Sequence, residues 1–254
     1  MFDIRGKVML ITGSSRGIGR AIAERGAEAG ARVVVSSRKQ DACDHVAEGI
    51  RSNGGQALAI AGNVSRKEEL QALVDRTIAE WGRIDVLVCN AAVNPHYGPL
   101  STIDDASWDK IMGSNVRSSL WLCQMVLPGM AERGGGSVIL LSSVAGLQGC
   151  ETIGAYAVSK TADIGLARNL AVEWGPKGIR VNAICPGIVK TDFARALWDN
   201  PEIAAPSVRA TCLKRLADPD DIAGVALFLA SPASRYVTGT AIVVDGGMTA
   251  TLPI

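Results

Sequence analysis

The chain has 254 residues, with 26 Lys plus Arg against 25 Asp plus Glu and a formal net charge of +1; no basic stripe interleaved with aromatics runs along it, which argues against a nucleic-acid partner. Hydrophobic residues make up 48% and aromatics only 4%, so the interior is filled by Ala, Val, Leu and Ile, as a sheet covered by helices requires. The start MFDIRGKVMLITG carries an acid before its first base and too short an apolar run for a signal peptide, and no stretch reaches the roughly 18 uninterrupted apolar residues of a membrane span, so a cytoplasmic protein without a membrane partner is expected.

In chain order, residues 8–11 form a uniformly apolar run read as a buried strand, followed by a glycine-rich turn and a helix over 17–29. A strand at 33–35, a helix at 42–51, a strand at 58–60, a helix at 67–81 and a strand at 86–88 follow. The second half predicts a long helix over 106–133, a strand at 138–141, a helix at 155–174, a strand at 181–184, a helix at 220–230 and a last strand at 242–244. Strands alternating with helices imply right-handed βαβ units: an α/β fold, a single-domain doubly wound parallel sheet of the Rossmann type with about seven strands, over residues 1–254. No repeat or linker divides the chain. Residues 188–215 break the rhythm with scattered Trp, Phe and Pro, and a substrate lid is expected there.

Six cysteines, Cys43, Cys89, Cys123, Cys150, Cys185 and Cys212, stand far apart with no CxxC pair and no neighbouring histidine. They are read as reduced thiols, and no metal site is expected.

The turn Thr12-Gly13-Ser14-Ser15-Arg16-Gly17-Ile18-Gly19 joins the first strand to its helix. Its glycines permit close approach of a pyrophosphate, and the helix N-terminus favours negative charge. Where the second strand ends, in Ser36-Ser37-Arg38-Lys39, an NAD-binding chain would place a carboxylate against the ribose hydroxyls, and none stands there. Arg38 can grip a 2′-phosphate bidentately, Ser37 can donate to it and Arg16 can add a second charge, which points to NADP(H). The plain alternative is that Arg16, Arg38 and Lys39 are solvated surface bases.

Tyr156 and Lys160 are four residues apart on a predicted helix and share a face. A free phenol titrates near pH 10, so a tyrosine acting as a base near neutrality needs its pKa lowered by roughly three units, which a neighbouring ammonium helps to supply. Ser143 closes the strand at 138–141 at the carboxyl edge of the sheet, where its hydroxyl can hold a substrate oxygen; Ser142 is a rival for that role.

Together, Thr12 to Gly19, Asn90-Ala91-Ala92, Asn115, Ser143, Tyr156 with Lys160, and Pro186-Gly187 with Thr191 resemble the short-chain dehydrogenase/reductase family in order and spacing, over essentially the whole chain. The resemblance implies an oxidoreductase that transfers hydride between NADP(H) and a carbonyl or secondary alcohol. Tyr156 would be its general acid/base, Lys160 would lower the tyrosine's pKa and hold the nicotinamide ribose, Ser143 would bind the carbonyl, and Asn115 would support a proton-relay water. It further implies that Asn90 and Ala91 flank the adenosine ribose and that Ile188 and Thr191 hold the carboxamide. Two departures are visible: Asn63-Val64 where the family commonly has Asp-Val beside the adenine, and Asn90-Ala91-Ala92 where it commonly has Asn-Ala-Gly.

Residues 36–40 and 90–95 are similar to the NADPH-dependent carbonyl reductase branch, while a beta-ketoacyl carrier-protein reductase shares much of the same pattern. A non-catalytic NADP-binding sensor or scaffold is the reading of a different class. The substrate wall is expected at residues 96–100, 147–153 and 193–215, with Tyr97, Cys150, Phe193, Trp198 and Leu213 suiting a small or medium carbonyl compound, and with His96 and Glu151 read first as loop side chains. The resemblance also implies a homotetramer assembled through the helices at 106–133 and 155–174, supported by the Gly239 to Met248 tail.

Overall fold

The computed structural model describes residues 1–250, so the last four residues of the expected 1–254 domain lie outside the described part. Seven strands form one sheet: β1 (Val8–Thr12), β2 (Arg32–Ser36), β3 (Gln56–Ala59), β4 (Val86–Cys89), β5 (Gly136–Leu141), β6 (Ile179–Pro186) and β7 (Ala241–Val244). Their order is β3-β2-β1-β4-β5-β6-β7, and every neighbouring pair is parallel. It is the single-domain doubly wound fold that the alternation of apolar runs predicts.

The strand register divides the core into two layers, because successive side chains point to opposite faces. On β1, Met9 and Ile11 join α1 (Gly17–Glu28), α2 (Gln40–Ser52) and α8 (Pro219–Ala230) on one face. Val8 and Leu10 join α3 (Lys67–Trp81), α5 (Ser118–Glu132) and α6 (Gly154–Trp174) on the other. Both faces of the central strands are therefore buried, which is why those strands read as continuous apolar runs.

Two regions differ from the sequence reading. The helix expected over 106–133 is α4 (Asp105–Met112), a π-turn over Gly113–Arg117, and then α5. The wide turn carries the buried side chain of Asn115, whose amide bonds to the backbone of Val93 and to Ser159 rather than to its own helix. The 188–215 excursion contains a helix, α7 (Pro201–Ala210), which the sequence reading passed over. Its signal is local: Asn200 accepts a bond from Glu202 N at 2.8 Å, and Pro201 supplies a first residue that needs no N–H partner. Ala217 N donates to Ile188 O at 3.1 Å and Lys190 N donates to Ala217 O at 2.9 Å, so the excursion leaves and rejoins the body at one point.

Candidate active site

At the carboxyl edge of the sheet, β1 connects to β2 on one side while β4 pairs with it on the other, and the reversal of direction opens a crevice. A cleft of about 830 Å³ lies there. Its wall includes Gly13, Ser15, Arg16, Gly17, Ile18, Ser37, Arg38, Asn63, Val64, Asn90, Ala91, Ala92, Tyr156, Lys160, Pro186 and Thr191, so most of the sequence-predicted residues meet around one space. Gly19, Asn115, Ser143, Gly187 and Ile188 are not part of that wall; Ser143 stands beside Tyr156, while its neighbour Ser142 lines the cleft.

At the cofactor end the backbone makes the site. Gly13 has φ +65°, and a Cβ there would come within 2.9 Å of Asn90 Nδ2. A Cβ on Gly19 would come within 2.6 Å of Gly13 O, so that position is closed to any larger residue. Asn90 Nδ2 donates to Thr12 O at 2.9 Å and to Gly13 O at 3.1 Å, while Thr12 Oγ1 accepts from the N–H groups of Asn90 and Ala91. Asn90 is thus committed to bracing the turn. Ser14 is a residue the sequence reading did not single out: fully buried, it donates to Ile11 O and accepts from Ser36 N, tying the turn to β2. The N-terminus of α1 has neither a side-chain cap nor an acid in its first turn, which leaves its N–H groups for an anion. Together with the glycine cradle, this fits the pyrophosphate of a dinucleotide.

Around the adenosine side, Arg38 is exposed and joins no ion pair among the described residues. Ser37 Oγ lies 3.2 Å from Cys43 Sγ. Asn63 Oδ1 accepts from Ser65 N and its own N–H is taken by Glu69, so the residue orders its loop while lining the cleft. Arg16 sits 3.7 Å from the Asp192 carboxylate, across to the 188–215 excursion.

At the reacting end Lys160 and Asp163 are buried, while Tyr156 and Ser143 are half-buried. Lys160 is 3% exposed; its Nζ donates to Leu141 O at 2.6 Å and to Asp163 Oδ2 at 3.0 Å, and lies 5.6 Å from the Tyr156 ring centre. Burial pushes the Tyr156 phenol up, Lys160 pulls it down and Asp163 pushes it up again, leaving it above its ordinary value. Lys160 thus acts on the phenol in the expected direction, while desolvation and Asp163, an acid three residues after Lys160 on the same helix, outweigh it.

Ser143 lies close enough to the phenol to favour its ionised form, and its Oγ accepts from Ala145 N at 3.1 Å, which leaves its hydroxyl hydrogen free to donate. Ser142 lines the cleft and is buried, with its hydroxyl given to Lys160 O at 2.7 Å. Asn115 bonds to Val93 N, Val93 O and Ser159 Oγ, fixing the loop that follows β4 against α6.

Phe193 packs on Tyr156 with ring centres 5.9 Å apart. Trp198 Nε1 donates to Thr191 O, bracing the loop that carries Thr191. His96 Nε2 is within 3.2 Å of Pro99 O and serves its own loop. Gly98 N donates to Thr152 O at 2.8 Å, joining two of the expected wall segments. All six cysteines are free thiols. Among the described residues no cluster of His, Cys, Asp or Glu is arranged to hold a metal ion, and no helix is long and apolar enough to cross a membrane.

Fold and cleft together define a dinucleotide-binding chain. A family profile described as enoyl-(acyl carrier protein) reductase matches residues 13–249. The dehydrogenase/reductase SDR family member 4 of Bos taurus is 41% identical over 242 residues, which span 95% of this chain and 86% of that protein. A gluconate 5-dehydrogenase from Burkholderia cenocepacia, solved in complex with NADP and tartrate, is similar with a TM-score of 0.94 at 33% identity, over 99% of this chain and 98% of that one. A 7α-hydroxysteroid dehydrogenase complexed with NADH and 7-oxo glycochenodeoxycholic acid gives a TM-score of 0.92 at 40% identity, over 97% and 95% of the two chains. The chain belongs to the short-chain dehydrogenase/reductase family of oxidoreductases.

Proposed function

We propose that the protein interconverts a carbonyl compound and the corresponding secondary alcohol with NADP(H), using Tyr156 as general acid/base. The observation that carries this reading is Tyr156 and Lys160 together on the wall of a cleft, with Ser143 beside the phenol. The cleft's other end presents exposed Arg38 and no acid where β2 ends. Gly13, Ser15, Gly17, Ile18 and Gly19 would hold the pyrophosphate, Ser37 and Arg38 the 2′-phosphate, Asn63 and Val64 the adenine, and Asn90, Ala91 and Ala92 the adenosine ribose. Lys160 would hold the nicotinamide ribose, and the segment from Pro186 through Gly187 and Ile188 to Thr191 the carboxamide. The NADP of the gluconate 5-dehydrogenase and the NADH of the hydroxysteroid dehydrogenase support a nicotinamide cofactor here; the choice of NADP(H) rests on Arg38.

A bound nicotinamide supplies or takes up the hydride. In reduction, Tyr156 Oη gives its proton to the substrate oxygen while the free hydrogen of Ser143 Oγ bonds the same oxygen, so that developing negative charge is met by two donors. In oxidation the phenolate of Tyr156 takes the hydroxyl proton, its charge balanced by Lys160. Asn115 holds the loop that follows β4 against α6 and so fixes the distance between the two halves of the site. Residues 188–215 act as the substrate lid: Phe193 reaches Tyr156 and Asp192 meets Arg16, so its movement opens and closes both ends of the cleft. Assembly as a homotetramer through α5 and α6 is supported by apolar side chains left in water there, with Val172 80% and Val158 40% exposed on α6 and Leu120 36% exposed on α5.

The test is a panel that follows NADPH and, separately, NADH consumption with diketones, aryl ketones, retinal-like aldehydes and a beta-ketoacyl thioester. NADPH-dependent reduction of a simple carbonyl is expected. Turnover confined to the thioester would assign a beta-ketoacyl reductase, an NADH preference would overturn the role of Arg38, and tight NADPH binding without any turnover would assign a sensor. Tyr156→Phe is expected to lower kcat by about 10²- to 10⁴-fold with NADPH affinity nearly unchanged; full activity in that variant would sink the mechanism.

A further inference from the structure

The family machinery leaves one buried charged group without a task. Asp163 lies on α6 between Lys160 and the apolar Ile164 and Ala167, and is 2% exposed. Its Oδ2 takes the Lys160 ammonium at 3.0 Å, while its Oδ1 is buried and has no hydrogen-bond partner among the described residues. A carboxylate with half of its acceptor capacity unmet is costly inside a protein, and an apolar residue of similar size would pack there at lower cost. What the carboxylate does touch is Lys160. Its position must therefore be understood through that contact.

We propose that Asp163 is a positioning residue: as the buried counter-ion of Lys160 it draws the ammonium onto the end of β5, away from Tyr156, and so keeps Tyr156 in its acid form, poised to donate a proton in carbonyl reduction. This rests on Tyr156 being the acid/base of the reaction.

Three observations carry it. The ammonium has two close partners, Asp163 Oδ2 at 3.0 Å and Leu141 O at 2.6 Å, while the ring centre of Tyr156 is 5.6 Å off. Asp163 and a Tyr156 phenolate therefore compete for one cation. Second, the other titratable groups that face this cluster are thiols: Cys123 from α5 with Cys89 of β4 beside it, Cys185 from β6, and Cys150 near Tyr156. The bond to Cys89 together with burial pushes Cys123 well up, and burial pushes Cys185 and Cys150 up, so these three thiols are neutral near neutrality. Burial pushes the Asp163 carboxyl up and the Lys160 ammonium pulls it down, so Asp163 holds its charge through that contact and is the acidic group of the cluster. Third, burial alone would pull Lys160 down, and Asp163 together with Tyr156 outweighs this, so the ammonium keeps its proton through the pH range in which Tyr156 works.

Removing one negative charge from a low-dielectric cluster lets it lose its first proton at a lower pH. In the full-length protein, Asp163→Asn keeps the shape and removes the charge, with Asp163→Ser as a second variant and near-ultraviolet circular dichroism as the check on packing. The pH dependence of kcat/KM is measured for alcohol oxidation and carbonyl reduction. In parallel, the phenolate is titrated by ultraviolet difference in the protein without substrate, with Tyr156→Phe subtracting the phenols of Tyr97 and Tyr236.

In Asp163→Asn the limb of the oxidation profile and the Tyr156 phenolate signal are both expected to move down by about one pH unit. A limb and a phenolate signal that stay in place, or move up, would overturn the proposal. Its failure is separable from that of the acid/base reading. If Tyr156→Phe is inactive while the Asp163→Asn titration is unmoved, Asp163 has no such role; if Tyr156→Phe is fully active, the acid/base reading itself is lost.

Discussion

The two ends of the cleft use charge in opposite ways. At the adenosine end, Arg38 and Lys39 stand in water, Arg16 is loosely paired with Asp192, and the shape comes from backbone: a glycine cradle braced by Asn90, Thr12 and Ser14. At the reacting end, Lys160 and Asp163 are buried against Tyr156, and the shape comes from side chains held in a rigid helix. A charge in water is screened and tunes affinity by small, salt-dependent amounts. A charge out of water must be matched at once, so each member of the buried group sets the protonation of the others. The first arrangement suits selection between similar cofactors, and the second suits proton transfer.

The largest effect is expected where this contrast is broken from the buried side. Lys160→Met leaves Asp163 without its counter-ion and should destabilise the protein by about 3–5 kcal/mol, beyond any loss of turnover. Adding Asp163→Leu should return most of that stability without returning activity. Denaturant unfolding of the single and double variants measures the difference. Equal stabilities would mean that the two side chains are not coupled, and the contrast between the ends of the cleft would fail with them.

That buried pair also marks what the sequence gives up and what it withholds. The apolar runs, the glycine turn and the spacing of Tyr156 and Lys160 were legible because period, turn chemistry and helical neighbours are local properties. Missing were features whose meaning depends on what lies across the fold. Asp163 reads as an ordinary polar position until α6 is laid against the sheet. Ser142 and Ser143 are indistinguishable in the sequence, and the fold separates them by turning one hydroxyl to Lys160 O and leaving the other beside Tyr156. The π-turn at Asn115 has no periodic signature, since it exists to let one amide reach Val93 and Ser159. For α7 the signal was present in Asn200-Pro201-Glu202, but the scattered Trp, Phe and Pro of the surrounding excursion outweighed it.

At the exposed end a smaller effect is expected. Arg38→Ala should raise the KM for NADPH by about 10- to 100-fold, the loss of one or two charge-assisted bonds to a phosphate, and leave the KM for NADH nearly unchanged. In the wild-type protein the KM for NADPH should rise with ionic strength more steeply than that for NADH, because a solvent-facing contact is screened. Parallel rises for both cofactors in Arg38→Ala would place the arginine outside the 2′-phosphate site.

The smallest effect tests whether exposed charge elsewhere obeys the same rule. Arg215 closes the 188–215 excursion onto α8 through Asp221, with Nη1 2.6 Å from Oδ2 and Nη2 2.8 Å from Oδ1, and Asp221 also accepts from Asp218 N in the capping box of α8. The bond to Arg215, with help from the Asp218 N–H, holds the Asp221 carboxyl down at about 2, below the ordinary carboxylate range. A carboxyl whose folded pKa is depressed stabilises the folded state above its unfolded pKa and loses that contribution as pH falls through the folded value. The window is therefore pH 4 down to about 2. Because the pair lies near the surface, its share at neutral pH should be no more than about 1 kcal/mol after screening. Asp221→Asn should accordingly lower the Tm by a few degrees at pH 7, and the gap to wild type should close as pH approaches 2. A gap that persists unchanged at acid pH would mean that Asp221 acts through packing, and the contrast between screened and buried charge would then not extend to the hinge of the excursion.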